Sequence, residues 1–286
     1  MKQLVKKLFT KLSYGSAGRL VSKVGKHGAV MSIGRAIHHA VRAVLEAKGY
    51  WVRHRSVLPY GVDYQHDISR LSNIFGISVN IFFDVGANTG QTSSAALVNF
   101  PGATIFAFEP HKPIFLALKN NVWDPRVRPF NLALSDKRGE ARFFEYDTHG
   151  LSNSMVEDSQ YAVYTKHPPK TLSVECETLD GICKTLGIDQ IDVLKVDTEG
   201  HDLAVLRGAE RMLAERRIRF VYIEFNTMQP KAGTSGGALL PISGILEPLG
   251  FRFVASYTEQ LMATGELFVQ SNALFVHLPS AKPSER

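Results

Sequence analysis

Two acidic residues, each closing a short apolar run, constrain this chain more than any other feature in it. Val79 to Phe83 runs into Asp84 and the glycine loop Val85-Gly86-Ala87-Asn88-Thr89-Gly90, and Thr104 to Phe108 runs into Glu109 and Pro110. Short continuous apolar runs bounded by turn residues suit strands that are covered on both faces. The glycines then let the backbone approach a ligand closely where a helical pattern begins. Glu109 stands 23 positions after Gly86. In a strand–helix–strand unit, an acid about 20 residues beyond the first glycine reaches ribose hydroxyls and accepts hydrogen bonds from them. Either piece alone also fits a tight turn or a solvated acid; in register, the two point to an adenosine ligand.

The loop separates two cofactor classes. It reads Gly-x-x-x-Gly, whereas a dinucleotide pyrophosphate wants Gly-x-Gly-x-x-Gly, whose third glycine allows close helix packing. Asp84, just before the glycines, is expected to repel a pyrophosphate and attract a cationic group. S-adenosylmethionine carries a sulfonium and an ammonium and no phosphate, so it fits these residues better than a nicotinamide dinucleotide.

At 286 residues the chain can bury one large core with an appendage. Its 44% hydrophobic and 21% charged content is that of an ordinary globular protein. No apolar stretch approaches the roughly 20 residues that cross a bilayer, and no signal-peptide pattern opens the chain, so a cytoplasmic protein is expected. Cys176 and Cys183 have no metal-ligand spacing and are expected to be thiols.

The net charge of +6 hides an asymmetry: residues 1–60 hold twelve Lys and Arg against the single acid Glu46, whereas the remainder holds 21 basic and 26 acidic residues. Leu4, Val5, Leu8, Phe9 and Leu12 share one helical face opposite Lys2, Lys6, Lys7 and Lys11. Such a helix could lie on an anionic membrane surface or pack on a protein face, and an acid-poor start also resembles a transit peptide. A second amphipathic stretch covers 29–47, where the adjacent His38 and His39 point in different directions and share no metal. Nucleic-acid binding is not expected, because the basic region lacks interleaved aromatics. Residues 1–75 are therefore expected to form a basic helical extension, and 76–280 the main domain.

Beyond residue 75, strands and helices alternate, which predicts a mainly parallel sheet with helices on both faces. Strands are expected near 79–84, 104–109, 127–133, 191–197, 218–225, 251–256 and 271–277, and helices near 90–100, 112–121, 178–186, 202–214 and 239–248. Residues 142–146 and 172–176 look like extra strands paired as a hairpin-like insertion. The long segment 147–170 between them reads as a lid or substrate loop at the cofactor cleft, and 231–237 as a second mobile segment.

A second dense patch is Ile191-Asp192-Val193-Leu194-Lys195-Val196-Asp197-Thr198-Glu199-Gly200-His201-Asp202. An apolar strand delivers Asp197 to the carboxyl edge of the sheet, where ligands sit in open α/β folds. Glu199 and Asp202 suit helix capping as well as catalysis. At a helix start His201 is held neutral, the form that accepts a proton, although an exposed histidine without a role fits as well. Glu224 ends the next strand and could meet Asp197 across the cleft, to position an acceptor or hold a divalent cation. No histidine–carboxylate spacing enforces a metal, so none is expected.

These residues resemble the FkbM-type methyltransferases, a family of S-adenosylmethionine-dependent enzymes with a Rossmann-like class I fold and a seven-strand sheet. The likeness rests on five ordered motifs: Asp84 to Gly90; Phe108-Glu109-Pro110; Asn131 to Asp136 with Gly139-Glu140; Thr178-Leu179-Asp180; and Lys195 to Gly200 with Val205 to Ala209. Together they span about residues 80–226. The resemblance implies methyl transfer to an oxygen, often a hydroxyl of a sugar, glycan or natural-product scaffold. It implies that Asp84, Gly86, Asn88 and Gly90 line the methionine part of the cofactor, that Glu109 binds its ribose, and that the Asn131–Asp136 turn borders the adenine. Ala87, Pro110, Leu132, Ala133 and Asp197 complete the expected cofactor set. Asp197, Glu199 and His201 are expected to face the transferring methyl; His201 or Asp197 is expected to take the acceptor's proton, with Glu224 and the 147–170 loop holding the acceptor. The rival readings are a nicotinamide-dependent oxidoreductase on the same sheet and a membrane-associated binding protein with a degenerate cofactor fold.

Overall fold

The computed structural model describes residues 40–50, 57–146, 153–157, 168–226, 238–263 and 267–278. Contacts divide the chain into two units, Met1–Leu58 and Pro59–Arg286. In the first, residues 40–46 are helical, with Arg42 Nε 2.8 Å from Glu46 Oε1 one turn on. The expected basic helix of residues 2–12, His38 and His39 lie outside the described residues, as does 231–237.

The second unit begins well before the boundary expected at 75 and 76. Its first helix, α1 (Tyr64–Phe75), starts where Asp63 accepts a hydrogen bond from His66 N and ends at the left-handed Gly76. Ile68 of α1 is fully buried against Phe82, and the Tyr64 ring stacks on Tyr222 at 3.6 Å. Residues 59–75 thus belong to the sheet-bearing unit, because their apolar positions cover one face of that sheet.

The chain continues through β1 (Ile81–Val85), α2 (Gln91–Asn99), β2 (Thr104–Phe108), α3 (Lys112–Asn121), β3 (Val127–Phe130), β4 (Ala133–Leu134), β5 (Gly139–Glu145) and β6 (Lys170–Glu177). It then forms α4 (Leu179–Leu186), β7 (Ile191–Val196), α5 (Asp202–Arg207), α6 (Glu210–Ala214), β8 (Ile218–Asn226), α7 (Leu239–Leu246), β9 (Arg252–Ala263) and β10 (Leu267–Val276). Seven strands make one sheet in the order β3-β2-β1-β7-β8-β10-β9. The first five of these are parallel, and β10 is antiparallel to both β8 and β9. This is a doubly wound α/β sheet whose topology switches between β1 and β7, the place where such folds bind ligands. At the opposite edge Asp192 Oδ2 accepts from Asn80 N (2.7 Å) and Ile81 N (3.0 Å), which pins the start of β1 to β7.

Alternation along the strands builds two cores. Phe83, Val85, Leu194 and Val196 pack on one face, and Phe82, Val193, Phe220 and Leu274 on the other. The second face also carries Asp84, Lys195 and Tyr222 in direct register across β1, β7 and β8.

Two expected elements are each divided in two, and the last two strands are longer than expected, β9 running on to Ala263 and β10 beginning at Leu267. The strand expected over 127–133 is β3 and β4, in different sheets: Asn131 Nδ2 donates to Glu109 O (3.0 Å) and Pro110 O (2.7 Å), turning the chain so that β4 joins β6 and β5. The expected insertion is real, with β5 and β6 paired antiparallel. The helix expected over 202–214 breaks into α5 and α6 at Gly208, where a Cβ would lie 2.0 Å from Ser135 O. Only glycine lets the end of β4 approach that closely. Cys176 and Cys183 are free and buried, their thiols pushed by burial up to about 11 and about 12.

Candidate active site

The carboxyl ends of β1, β2, β4 and β7 surround a cleft of about 500 Å³. At its floor, Gly86 has φ +73°, and a Cβ there would lie 1.8 Å from Asp197 O. A glycine is required for the ends of β1 and β7 to meet, and Asp197 N donates to Val85 O across that junction. Gly86, Ala87 and Asn88 line the cleft; Gly90 does not, its backbone packing against Leu118 and Val122 instead.

The loop's N–H groups are spent inside the protein. Gly86 N and Ala87 N donate to Phe108 O (3.1 and 3.0 Å), Asn88 N to Glu109 Oε2 (3.1 Å), Thr89 N to Asn88 Oδ1 (2.6 Å) and Gly90 N to Ala87 O (2.9 Å). A pyrophosphate needs such groups convergent and available. The geometry therefore disfavours a dinucleotide for a stronger reason than the missing third glycine.

Glu109 faces the cleft at the end of β2 and is held from both sides, Oε1 accepting from His111 N (2.8 Å) and Oε2 from Asn88 N. Burial dominates these hydrogen bonds and pushes its carboxyl up to about 7. Pro110, Leu132, Ala133 and Phe143 supply an apolar wall beside it, suited to a flat base. A fixed carboxylate next to that wall, with no available anion nest, fits the adenosine and the phosphate-free tail of S-adenosylmethionine.

Asp84 is placed differently from its expected role. It is fully buried, lies outside the cleft lining, accepts from Ser93 Oγ (2.7 Å) and pairs with Lys195 Nζ at 3.2 Å. The cation it attracts is therefore Lys195. That ammonium also donates to Gly86 O (2.7 Å) and lies 3.6 Å from Asp197 Oδ2. Burial alone would lower its pKa; Asp197 and Asp84 outweigh burial and the net shift is upward.

Asp197, Glu199 and His201 line the opposite wall. Asp202 accepts from Thr198 N and Gly200 N (both 3.1 Å), so of the two roles open to it, loop organisation is the one its contacts show. Glu199 has φ +55° and Asn88 φ +48°; both are non-glycine residues in the left-handed region, and both line the cleft. The Glu199 carbonyl accepts from Ser154 Oγ (2.7 Å), and Asn153 and Met155 reach the cleft beside it. The rest of the expected 147–170 lid, apart from 153–157 and 168–170, lies outside the described residues.

His201 Nε2 lies 2.9 Å from Ser135 Oγ, and that hydroxyl donates to Asp136 Oδ1 at 3.1 Å. Ser135 has one proton to give, so Nε2 is the donor of its pair and Nδ1 is the acceptor nitrogen. Burial lowers the His201 pKa, more than the Asp136 charge raises it, so neutrality comes chiefly from burial.

Glu224 stands at the end of β8, 2% exposed, with Gln270 Nε2 donating to its Oε1 at 2.5 Å. Burial first, then the charges of Glu199, Asp197 and Asp202, raise its pKa well above the usual carboxylate range. Oxygens of Asp197, Glu199 and Glu224 all lie within 4.8 Å of one another. Sequence reasoning gave no role to Lys195, Gln270 or the contact between Ser135 and His201, although Lys195 stood in a motif and Ser135 in the turn expected to border the adenine. A lone lysine in an apolar strand was a visible signal for the first; Gln270 becomes visible only through the β8–β10 register.

The family model for the methyltransferase FkbM domain matches residues 84–253. Over 189 residues the chain is 29% identical to the 2-O-methyltransferase NoeI of Sinorhizobium fredii, covering 62% of this chain and 74% of that protein. It is 29% identical over 200 residues to the 31-O-demethyl-FK506 methyltransferase FkbM of Streptomyces tacrolimicus, with coverages of 62% and 74%. With the hexuronic acid methyltransferase AglP of Haloferax volcanii it shares 27% identity over 173 residues, covering 58% of this chain and 65% of that protein.

Proposed function

Because the chain belongs to the FkbM methyltransferase domain family, and is an S-adenosylmethionine-dependent methyltransferase, we propose that its acceptor is a hydroxyl oxygen of a sugar, glycan or related natural-product scaffold. The observation that carries this reading is a single cleft with Glu109 and an apolar wall on one side and a neutral, buried histidine among carboxylates on the other. Two similar proteins are named for methylation at oxygen and a third for a hexuronic acid, which supports a hydroxylated, carbohydrate-like acceptor.

When bound, S-adenosylmethionine supplies an electrophilic methyl carbon on its sulfonium. Glu109 would hold its ribose hydroxyls, and Leu132, Ala133 and Phe143, which line the same cleft, would enclose its adenine. Gly86, Ala87 and Asn88 would border its methionine part, with Lys195 and Asp84 fixing the loop from beneath. Methyl transfer is an in-line displacement in which the oxygen–carbon bond would form as the carbon–sulfur bond breaks and its electron pair stays on the thioether sulfur, so an acceptor oxygen must sit behind the methyl and lose its proton. His201 Nδ1 receives that proton, its ring oriented by Ser135 and Asp136, and Asp197 is the second candidate. Asp197 and Glu199 would hold the acceptor's hydroxyls, with Glu224, which lies outside the cleft lining, buried within 4.8 Å of them. The basic residues before 60 fit a peripheral contact with the anionic cytoplasmic face of a membrane.

The test is incubation of the full chain with S-adenosylmethionine and a panel of free sugars, glycans and hydroxylated scaffolds, followed by mass spectrometry. A mass gain of one CH2 unit that survives mild base marks an ether and supports the proposal. Gain confined to base-labile esters would overturn the hydroxyl assignment.

A further inference from the structure

We propose that Asp197, Glu199 and Glu224, completed by the side-chain oxygen of Gln270, form a binding site for an oxygen-preferring divalent cation of the Mg²⁺ or Mn²⁺ type. The inference rests on the methyltransferase reading and deepens it, since Asp197, Glu199 and Gln270 line the same cleft as His201.

Three carboxylate oxygens lie within 4.8 Å of one another. That is the spacing of ligands around a cation with metal–oxygen distances of about 2.0–2.6 Å. Carboxylates cluster on many proteins without a metal, so the cluster alone decides nothing. The second observation comes from buried polar atoms. Glu224 is 2% exposed and its Oε2 has no hydrogen-bond partner among the described residues; Gln270 is 5% exposed and its Oε1 has none among them either. The Gln270 amide is anchored to Glu224 through Nε2, and the residue lines the cleft next to which the carboxylates cluster. Buried oxygens that are not satisfied cost stability, and a shared cation satisfies both.

Charge points the same way. Lys195 is divided between Asp84 at 3.2 Å and Asp197 at 3.6 Å, so its single charge does not offset both carboxylates. Four hard oxygen donors without a histidine or thiolate suit Mg²⁺ or Mn²⁺ rather than zinc or copper. A cation there would take an acceptor hydroxyl as a further ligand, align it, and favour release of its proton to His201. The chemical class of acceptor narrows accordingly to one that can offer a hydroxyl, or two neighbouring hydroxyls, to a metal.

The experiment is titration of the full chain with Mn²⁺, free metal being followed by electron paramagnetic resonance, alongside calorimetric titration with S-adenosylmethionine. The expected result is one site with a dissociation constant of about 100 µM or tighter. In Glu224→Gln and in Glu199→Gln the site should weaken by about tenfold or more while cofactor binding persists, which also shows that each variant is folded. Wild-type protein that binds the cofactor but takes up no Mn²⁺ at about 1 mM overturns the site. Mn²⁺ binding that both substitutions leave unchanged overturns the ligand assignment. Mn²⁺ binding in a protein that never binds S-adenosylmethionine would sustain the cation site and remove the methyl-donor reading, so the two failures are distinguishable.

Discussion

His201 owes its chemistry to its neighbours more than to its place at the head of a short helix. Ser135 is committed to Asp136, which leaves Nε2 as donor and Nδ1 as the atom able to accept a proton. Burial lowers the pKa from its ordinary 6.5. The neutral form therefore persists to lower pH, and turnover should fall only as pH drops through a value below 6.5. His201→Gln should lower kcat by about 10²- to 10⁴-fold, leave cofactor affinity intact and abolish that acid limb in the pH–rate profile. Unchanged turnover would remove His201 from the reaction. The residue was visible in the sequence as a histidine two positions after Glu199; its partner Ser135 was not, because 66 residues separate them and only β4 brings them together. Asp84 shows the opposite case, a motif residue correctly noticed whose charge is used inside the protein.

Lys195 on β7 ties the strands at the switch point, bonding Asp84 of β1 and the carbonyl of Gly86 while α1 seals the face through the Tyr64–Tyr222 stack. Lys195→Met leaves Asp84 buried without a counter-charge and should cost about 3–5 kcal/mol in urea-induced unfolding. Adding Asp84→Leu to that variant should recover most of the loss, because removing both charges also removes the desolvation penalty. A single substitution without cost would contradict the pairing. Strand positions at β1, β2, β7 and β8 were legible because an apolar run ending in an acid or a turn marks a buried parallel strand. The division of 127–133 was not, since it depends on Asn131 reaching back to the carbonyls of Glu109 and Pro110. Nor was the break at Gly208, which answers to a carbonyl of β4 rather than to local propensity.

Across the whole sheet-bearing unit, strand order brings Glu109 after β2, the glycine loop after β1, Asp197 and Glu199 after β7 and Glu224 near the end of β8 to one edge. Insertion β5–β6 and the segment 153–157 close one side of it, and α1, assigned by sequence to the extension, closes the buried face beneath. We propose that this edge binds S-adenosylmethionine through Glu109. Its carboxyl, at about 7 in the free protein, ionises more fully as pH rises, and ribose hydroxyls donate best to the ionised form. Calorimetric titration of the full chain should therefore show one S-adenosylmethionine site whose affinity rises by about tenfold between about pH 6 and about pH 8, the change in the ionised fraction. Glu109→Gln should bind more weakly and lose the pH dependence, and NAD should give no heat. Binding of NAD, or cofactor binding that Glu109→Gln leaves untouched, would contradict the account.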